Sequence, residues 1–151
     1  LPQTRPDVVV ITGHDGVLKN RPFASLRPLS SYKNSFHFVQ AVQAARAYER
    51  NRDNLIVVAG ACQSHFEALL EAGANFASSP RRVMIHALDP VVVAIKASRT
   101  PFREPIHLTE AIRGTICGAE GMGGVETFGK RRLGTPRPGW NAKKIVPAYG
   151  A

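Results

Sequence analysis

Cysteine is scarce in this chain: two residues in 151, Cys62 and Cys117. Two thiols make no disulfide framework, so a reducing compartment is expected. No CxxC or HExxH spacing occurs, so neither a metal site nor any cofactor is expected. No apolar run approaches the roughly 18 residues that a membrane-crossing helix needs, so no membrane partner is expected. The opening "LPQTRPD" lacks the apolar segment of a secretory signal. The chain starts at Leu1 rather than Met, and the expectation is that a longer protein carries a further N-terminal region. Aromatics are sparse at 7%. No aromatic-rich stretch accompanies the net charge of +9, so the charge reads as a solvated surface and nucleic acid is an unexpected partner. The local peak of that charge is "GKRRLG", Gly129 to Gly134.

What is present is a globular composition, 44% hydrophobic, of a length that suits one domain. "DVVVITG" (Asp7 to Gly13) and "NLIVVAG" (Asn54 to Gly60) are short β-branched runs closed by glycine and read as buried strands. "RRVMIHAL" (Arg81 to Leu88) reads as a third strand, and "VETFG" as a possible fourth. Helical spacing runs from Ser35 to about Arg50, with Asn34 or Ser35 as N-cap. Further helices are expected over Ser64 to Ala74, over Asp89 to Ser98, and over Leu108 to Ile116 with Thr109 as a possible cap. "KNRPFASLRPLSSYKN" (Lys19 to Asn34) reads as a long loop, a kind that is often functional. Strands alternating with helices predict an α/β fold, a mostly parallel sheet with helices on both faces. Residues 1–134 are expected to form the domain and 135–151 an irregular tail.

In such sheets the active site gathers at the strand carboxyl ends. "VVVITGHDG" carries His14 and "VVAGACQSH" carries Cys62, each just past the strand end. A cysteine becomes a nucleophile when an imidazole or a helix N-terminus favours its thiolate. Histidine titrates in the range needed to take that proton and return it to a leaving amine. Alone, Cys62 reads equally as a small packing residue and His14 as a turn residue. Together, two strands each followed by half of a reactive pair favour catalysis, and the pair meets on one sheet edge if the strands are parallel neighbours.

The same two blocks resemble the catalytic blocks of the caspase/clostripain/gingipain clan of cysteine peptidases. More closely, "ITGHDG", "YKNSFHFVQAVQAAR", "GACQSHFEALLEAGANFASSP", "IHALDPV" and "GGVETFGKRRLG" are similar to the YabG family of sporulation-specific proteases, over about Asp7 to Gly134. The resemblance implies a caspase-like three-layer sandwich and a cysteine endopeptidase with Cys62 as nucleophile and His14 as general acid/base. It implies protein substrates, spore coat or cortex-related, cut after arginine in the mother-cell cytoplasm. Where the clan places glycine directly after histidine, this chain has Asp15 first, so the oxyanion donors expected are the N–H groups of Gly16 and Cys62.

An arginine pocket needs a carboxylate, which meets a guanidinium with paired hydrogen bonds. Some relatives carry it two residues before the cysteine, where this chain has Gly60. Asp89 is the first candidate here, with a helix N-cap as its rival role. Asp15, Glu120 and Glu126 follow, and Asp15 could instead orient His14. His65 and His86 are secondary candidates for the base. His86 would take that role in an amidotransferase-like cysteine hydrolase, where the histidine follows the cysteine in sequence. A basic module binding coat or nucleic acid is the non-enzymatic alternative. Self-cleavage is expected after Arg5, Arg21 or Arg27 in loop-like stretches.

Overall fold

The computed structural model describes residues 1–20, 22 and 25–132. The expected tail at 135–151 and the expected cut at Arg21 lie outside them. β1 (Val8–Ile11) and β2 (Ile56–Ala59) pair in parallel, Val8 opposite Ile56 and Ile11 opposite Ala59. β3 (Phe76–Ala77) adds in parallel to β2, and β4 (Gly123–Gly124) closes the edge antiparallel to β3. The sheet order is β1-β2-β3-β4, the order that successive crossovers in one direction produce.

Alternation along the strands assigns the two faces. Val9, Ile11, Val57, Ala59 and Ala77 meet α1 (Ser35–Tyr48) and α2 (Phe66–Ala72), which supply Phe38, Val39, Val42, Ala45 and Leu69. Val8, Ile56, Val58 and Phe76 meet α3 (Asp89–Arg99) and α4 (Leu108–Ile112) on the other face, through Val93, Ala94, Ala97 and Ala111. A short helix α5 (Gly118–Gly121) leads into β4. The result is three layers, helix, sheet and helix, and the mostly parallel α/β expectation holds. Every residue of β2 is buried, which is why its sequence reads as an unbroken apolar run. Burying each of its valines contributes roughly 1.5–3 kcal/mol relative to exposure.

A side chain fixes the end of α2. Gly73 turns the chain at φ +116, and Arg46 Nε donates to its carbonyl at 2.7 Å. Arg46 also donates to Leu55 O at 2.9 Å, tying α1 to the start of β2.

Several expected elements differ. Arg81 to Leu88 is not a strand; the third strand is the two-residue Phe76–Ala77. The 81–88 segment is apolar, but side chains take its backbone groups. Val83 N–H donates to Ser79 Oγ and His86 N–H to Asp89 Oδ2. The fourth strand falls at Gly123–Gly124, just before "VETFG", and Phe128 only bridges to Pro105. α4 stops at Ile112, and its N-cap is His107, not Thr109. Asp89 opens α3 from inside the first turn, with Leu88 at the cap position. Asn34 occupies the α1 cap position without capping, because its side chain donates to His14 O at 2.8 Å.

Candidate active site

Ile11 and Ala59 end their strands side by side. His14 and Cys62 each lie three residues further on, at equivalent places beyond adjacent parallel strands. The last rung, Gly60 N–H to Ile11 O, is 2.9 Å. Both loops therefore leave the same carboxyl edge. His14 is exposed and Cys62 half-buried.

Side chains join the two loops. Gln63, the residue after Cys62, accepts from Val17 N–H at 3.3 Å. Asp15, the residue after His14, accepts from Ser64 Oγ at 3.0 Å. Asp15 also accepts from Gly16 N–H at 2.8 Å, Asn34 N–H at 2.9 Å and Ser35 Oγ at 2.5 Å. Ser64 Oγ in turn accepts from Ala61 N–H, and Ser35 Oγ from His65 N–H, both at 2.9 Å. One carboxylate thus brackets the β1 loop, the start of α1 and the cysteine turn. Four donors leave it no lone pair aimed at His14, so its geometry is that of a brace, not of a histidine-orienting acid.

The cysteine turn is tight. Gly60 has φ +114 and Gln63 φ +55, flanking Cys62 on both sides. Left-handed backbone at a non-glycine residue is costly and concentrates at functional sites. A Cβ on Gly60 would collide with Ser78 Oγ and meet Ser78 O at 3.2 Å. That explains why no acidic residue stands two positions before the cysteine. Across the turn, Gln63 N–H donates to Val83 O at 3.0 Å and Cys62 Sγ lies 3.5 Å from Ile85 O. Residues 83–85 are therefore one wall of the site. No acceptor engages the Cys62 N–H among the described residues.

The other expected residues divide by what already holds them. The Gly16 N–H is committed to Asp15, so it does not fit the oxyanion role expected for it. Asp89 is 1% exposed and accepts from His86 N–H, Ile116 N–H and Cys117 N–H at 2.8–3.4 Å. That arrangement fastens the 83–88 wall to the 116–117 turn and leaves little of the carboxylate for a substrate guanidinium. Glu126 faces α4, accepting from Leu108 N–H and lying 3.6 Å from His107. Glu120 is exposed, without an ion pair among the described residues, and its carbonyl is bonded to Arg81 N–H beside the wall. Both ring nitrogens of His65 are engaged, Nδ1 by Ala68 N–H and Nε2 by Arg27 O. His86 is exposed and its Nδ1 accepts from Leu88 N–H.

One feature escaped the sequence reading. A cavity of about 940 Å³ lies along α2, lined by Leu26, Leu29, His65, Glu67, Glu71 and Arg82 among others. Burial works to raise Glu67, but hydrogen bonds and charge from Arg82, with help from its own backbone N–H and His65, hold it below the ordinary carboxylate range. Arg82 also donates to the Tyr32 hydroxyl at 2.7 Å, clamping the 25–32 segment to the cavity rim. The available signal was the i, i+4 pair Glu67 and Glu71 on one helix face.

Comparison with known proteins bears on this geometry. The family model described as YabG peptidase U57 matches residues 1–136. The chain is 52% identical over 136 residues to the sporulation-specific protease YabG of Bacillus subtilis (strain 168), covering 90% of this chain and 46% of that protein. The chain therefore spans about half the length of the curated relative it matches. No solved structure matches.

Proposed function

Because this chain belongs to the YabG peptidase family, we propose that it is the cysteine-dependent catalytic unit of a sporulation-specific protease, built on a caspase-like sheet. Cys62 is the nucleophile and His14 the general acid/base. The observation that carries this reading is the bracing of their two loops on one sheet edge through Asp15 and Ser64.

His14 takes the thiol proton, and the Cys62 sulfur attacks the carbonyl carbon of the scissile peptide. The developing oxyanion accepts from the Cys62 N–H, which has no competing acceptor among the described residues. His14 returns the proton to the amide nitrogen as the C–N bond breaks. Water, deprotonated by His14, then hydrolyses the thioester and regenerates the thiol.

The substrates are spore coat or cortex-related proteins in the mother cell, cut after arginine. Glu120 is the acid best disposed to receive that arginine, since Asp15, Asp89 and Glu126 already have partners. The test is hydrolysis of an Arg–Ser peptide by wild type and by Cys62→Ala, His14→Ala and His86→Ala chains. Loss with the first two and retention with the third is expected. Full activity of His14→Ala would transfer the base role elsewhere.

A further inference from the structure

Four of the chain's eleven prolines directly follow arginine: Arg5–Pro6, Arg21–Pro22, Arg27–Pro28 and Arg137–Pro138. With fourteen arginines in 151 residues, random placement gives about one such pair at ordinary independence of neighbours. None of the six lysines is followed by proline. Three of the four pairs fall in the segments before and after β1, which lead into and out of the His14 strand. Arg27 borders the cavity, its carbonyl bonded to His65 three residues from Cys62.

Other arginines are guarded in a different way. The amide that follows Arg50, Arg52, Arg81, Arg82, Arg99 and Arg103 is held in a local turn. Asn51 N–H donates to Glu49 Oε1 and Asp53 N–H to Asn51 Oδ1, both at 2.8 Å. Arg82 N–H donates to Ser79 O at 2.9 Å and Val83 N–H to Ser79 Oγ at 2.8 Å. Thr100 N–H and Glu104 N–H donate to Lys96 O and Pro101 O at 3.0 Å. A peptide must lie extended, with its backbone groups free, to enter a protease cleft. Turned segments of this kind do not.

Proline blocks cleavage by its own chemistry. It has no N–H to anchor the residue after the cut, and its ring carbon sits beside the nitrogen that must receive the proton. It also restricts the preceding arginine to extended conformations.

We propose that this peptidase rejects proline directly after the cleaved arginine, and that its own Arg–Pro bonds protect its loops from self-cleavage. The proposal rests on the arginine-cutting cysteine peptidase reading and adds the residue requirement on the far side of the cut. It reverses the expectation of cuts after Arg5, Arg21 and Arg27: those bonds are the resistant ones.

The experiment uses the full chain on two peptides carrying the Ser25–Ser30 sequence, one with Pro28 kept and one with it replaced by alanine. The alanine peptide is cut after arginine, and the proline peptide about 100-fold more slowly or not at all. In parallel, a chain carrying Pro6→Ala, Pro22→Ala and Pro28→Ala together is followed by intact mass. New ends directly after Arg5, Arg21 or Arg27 are expected, and none when Cys62→Ala is added. Equal cutting of the two peptides overturns the proposal. So does a triple variant that stays whole while cutting the alanine peptide. If the triple variant does not fold, the peptide pair alone decides. A wild type that cuts neither peptide nor any other Arg–Ser substrate overturns the underlying peptidase reading as well.

Discussion

Asp15 Oδ2 and Ser64 Oγ lie 3.0 Å apart, and this contact joins the residue after His14 to the turn that carries Cys62. Forty-nine positions of sequence separation become one hydrogen bond because β1 and β2 are parallel neighbours. The brace supplies no proton to the chemistry. Its role is to keep two loops at a fixed separation, which matters because small misplacements of reacting groups cost large factors in rate.

Asp15→Asn turns an acceptor of four hydrogen bonds into one that presents an amide to several donors. The expected loss is about 1–3 kcal/mol of stability, and kcat falls more than KM rises. Ser64→Ala removes one arm and is expected to cost less. Urea unfolding and peptide kinetics on both variants check the order.

Gly60→Ala places a Cβ against Ser78 in a backbone with φ +114. Conformational strain and overpacking together are expected to cost about 2–4 kcal/mol. Thermal unfolding measures it directly. A variant as stable as wild type would show that the cysteine turn relaxes freely.

Glu120 and Asp89 separate by role. Glu120→Gln is expected to lower kcat/KM for arginine peptides about ten- to hundredfold with stability unchanged. Asp89→Asn is expected to destabilise the chain, since three backbone donors depend on its carboxylate. Paired unfolding and kinetic measurements on the two variants distinguish the assignments.

The Arg82–Glu67 clamp carries a pH signature. Arg82 overcomes the effect of burial and holds Glu67 below its ordinary value of about 4.3. Its stabilising contribution is therefore fully present above that value and is lost as pH falls through the lower folded value. The gap in melting temperature between wild type and Glu67→Gln should persist from neutral pH down to about 4.3 and close below it.

The sheet was legible where one residue type repeats. Ile56–Ala59 is an apolar run buried throughout, whereas Val8–Ile11, read the same way, is a partly exposed edge strand. Of the helical positions Phe36, Val39, Val42, Ala45 and Tyr48, the middle three are buried and Phe36 and Tyr48 are exposed, the core taking Phe38 instead. β3 was not legible, because two residues inside "ANFASS" carry no periodicity; the pairing of Phe76 with Val58 is set by tertiary packing. Residues 81–88 misled because apolar content says nothing about hydrogen bonds supplied by Ser79 and Asp89. His14 and Cys62 could be named from their places after two strands. The brace could not, since its partners come from positions 16, 34, 35 and 64.

The activation of Cys62 by His14 is tested most directly by alkylation, with Cys117 as internal reference. The rate of iodoacetamide modification of both thiols is followed by peptide mass at neutral pH in wild type and in His14→Ala. The account predicts that Cys62 is modified faster than Cys117, and that this advantage disappears in the His14 variant. Equal modification rates for the two thiols, unchanged by removing His14, would contradict it.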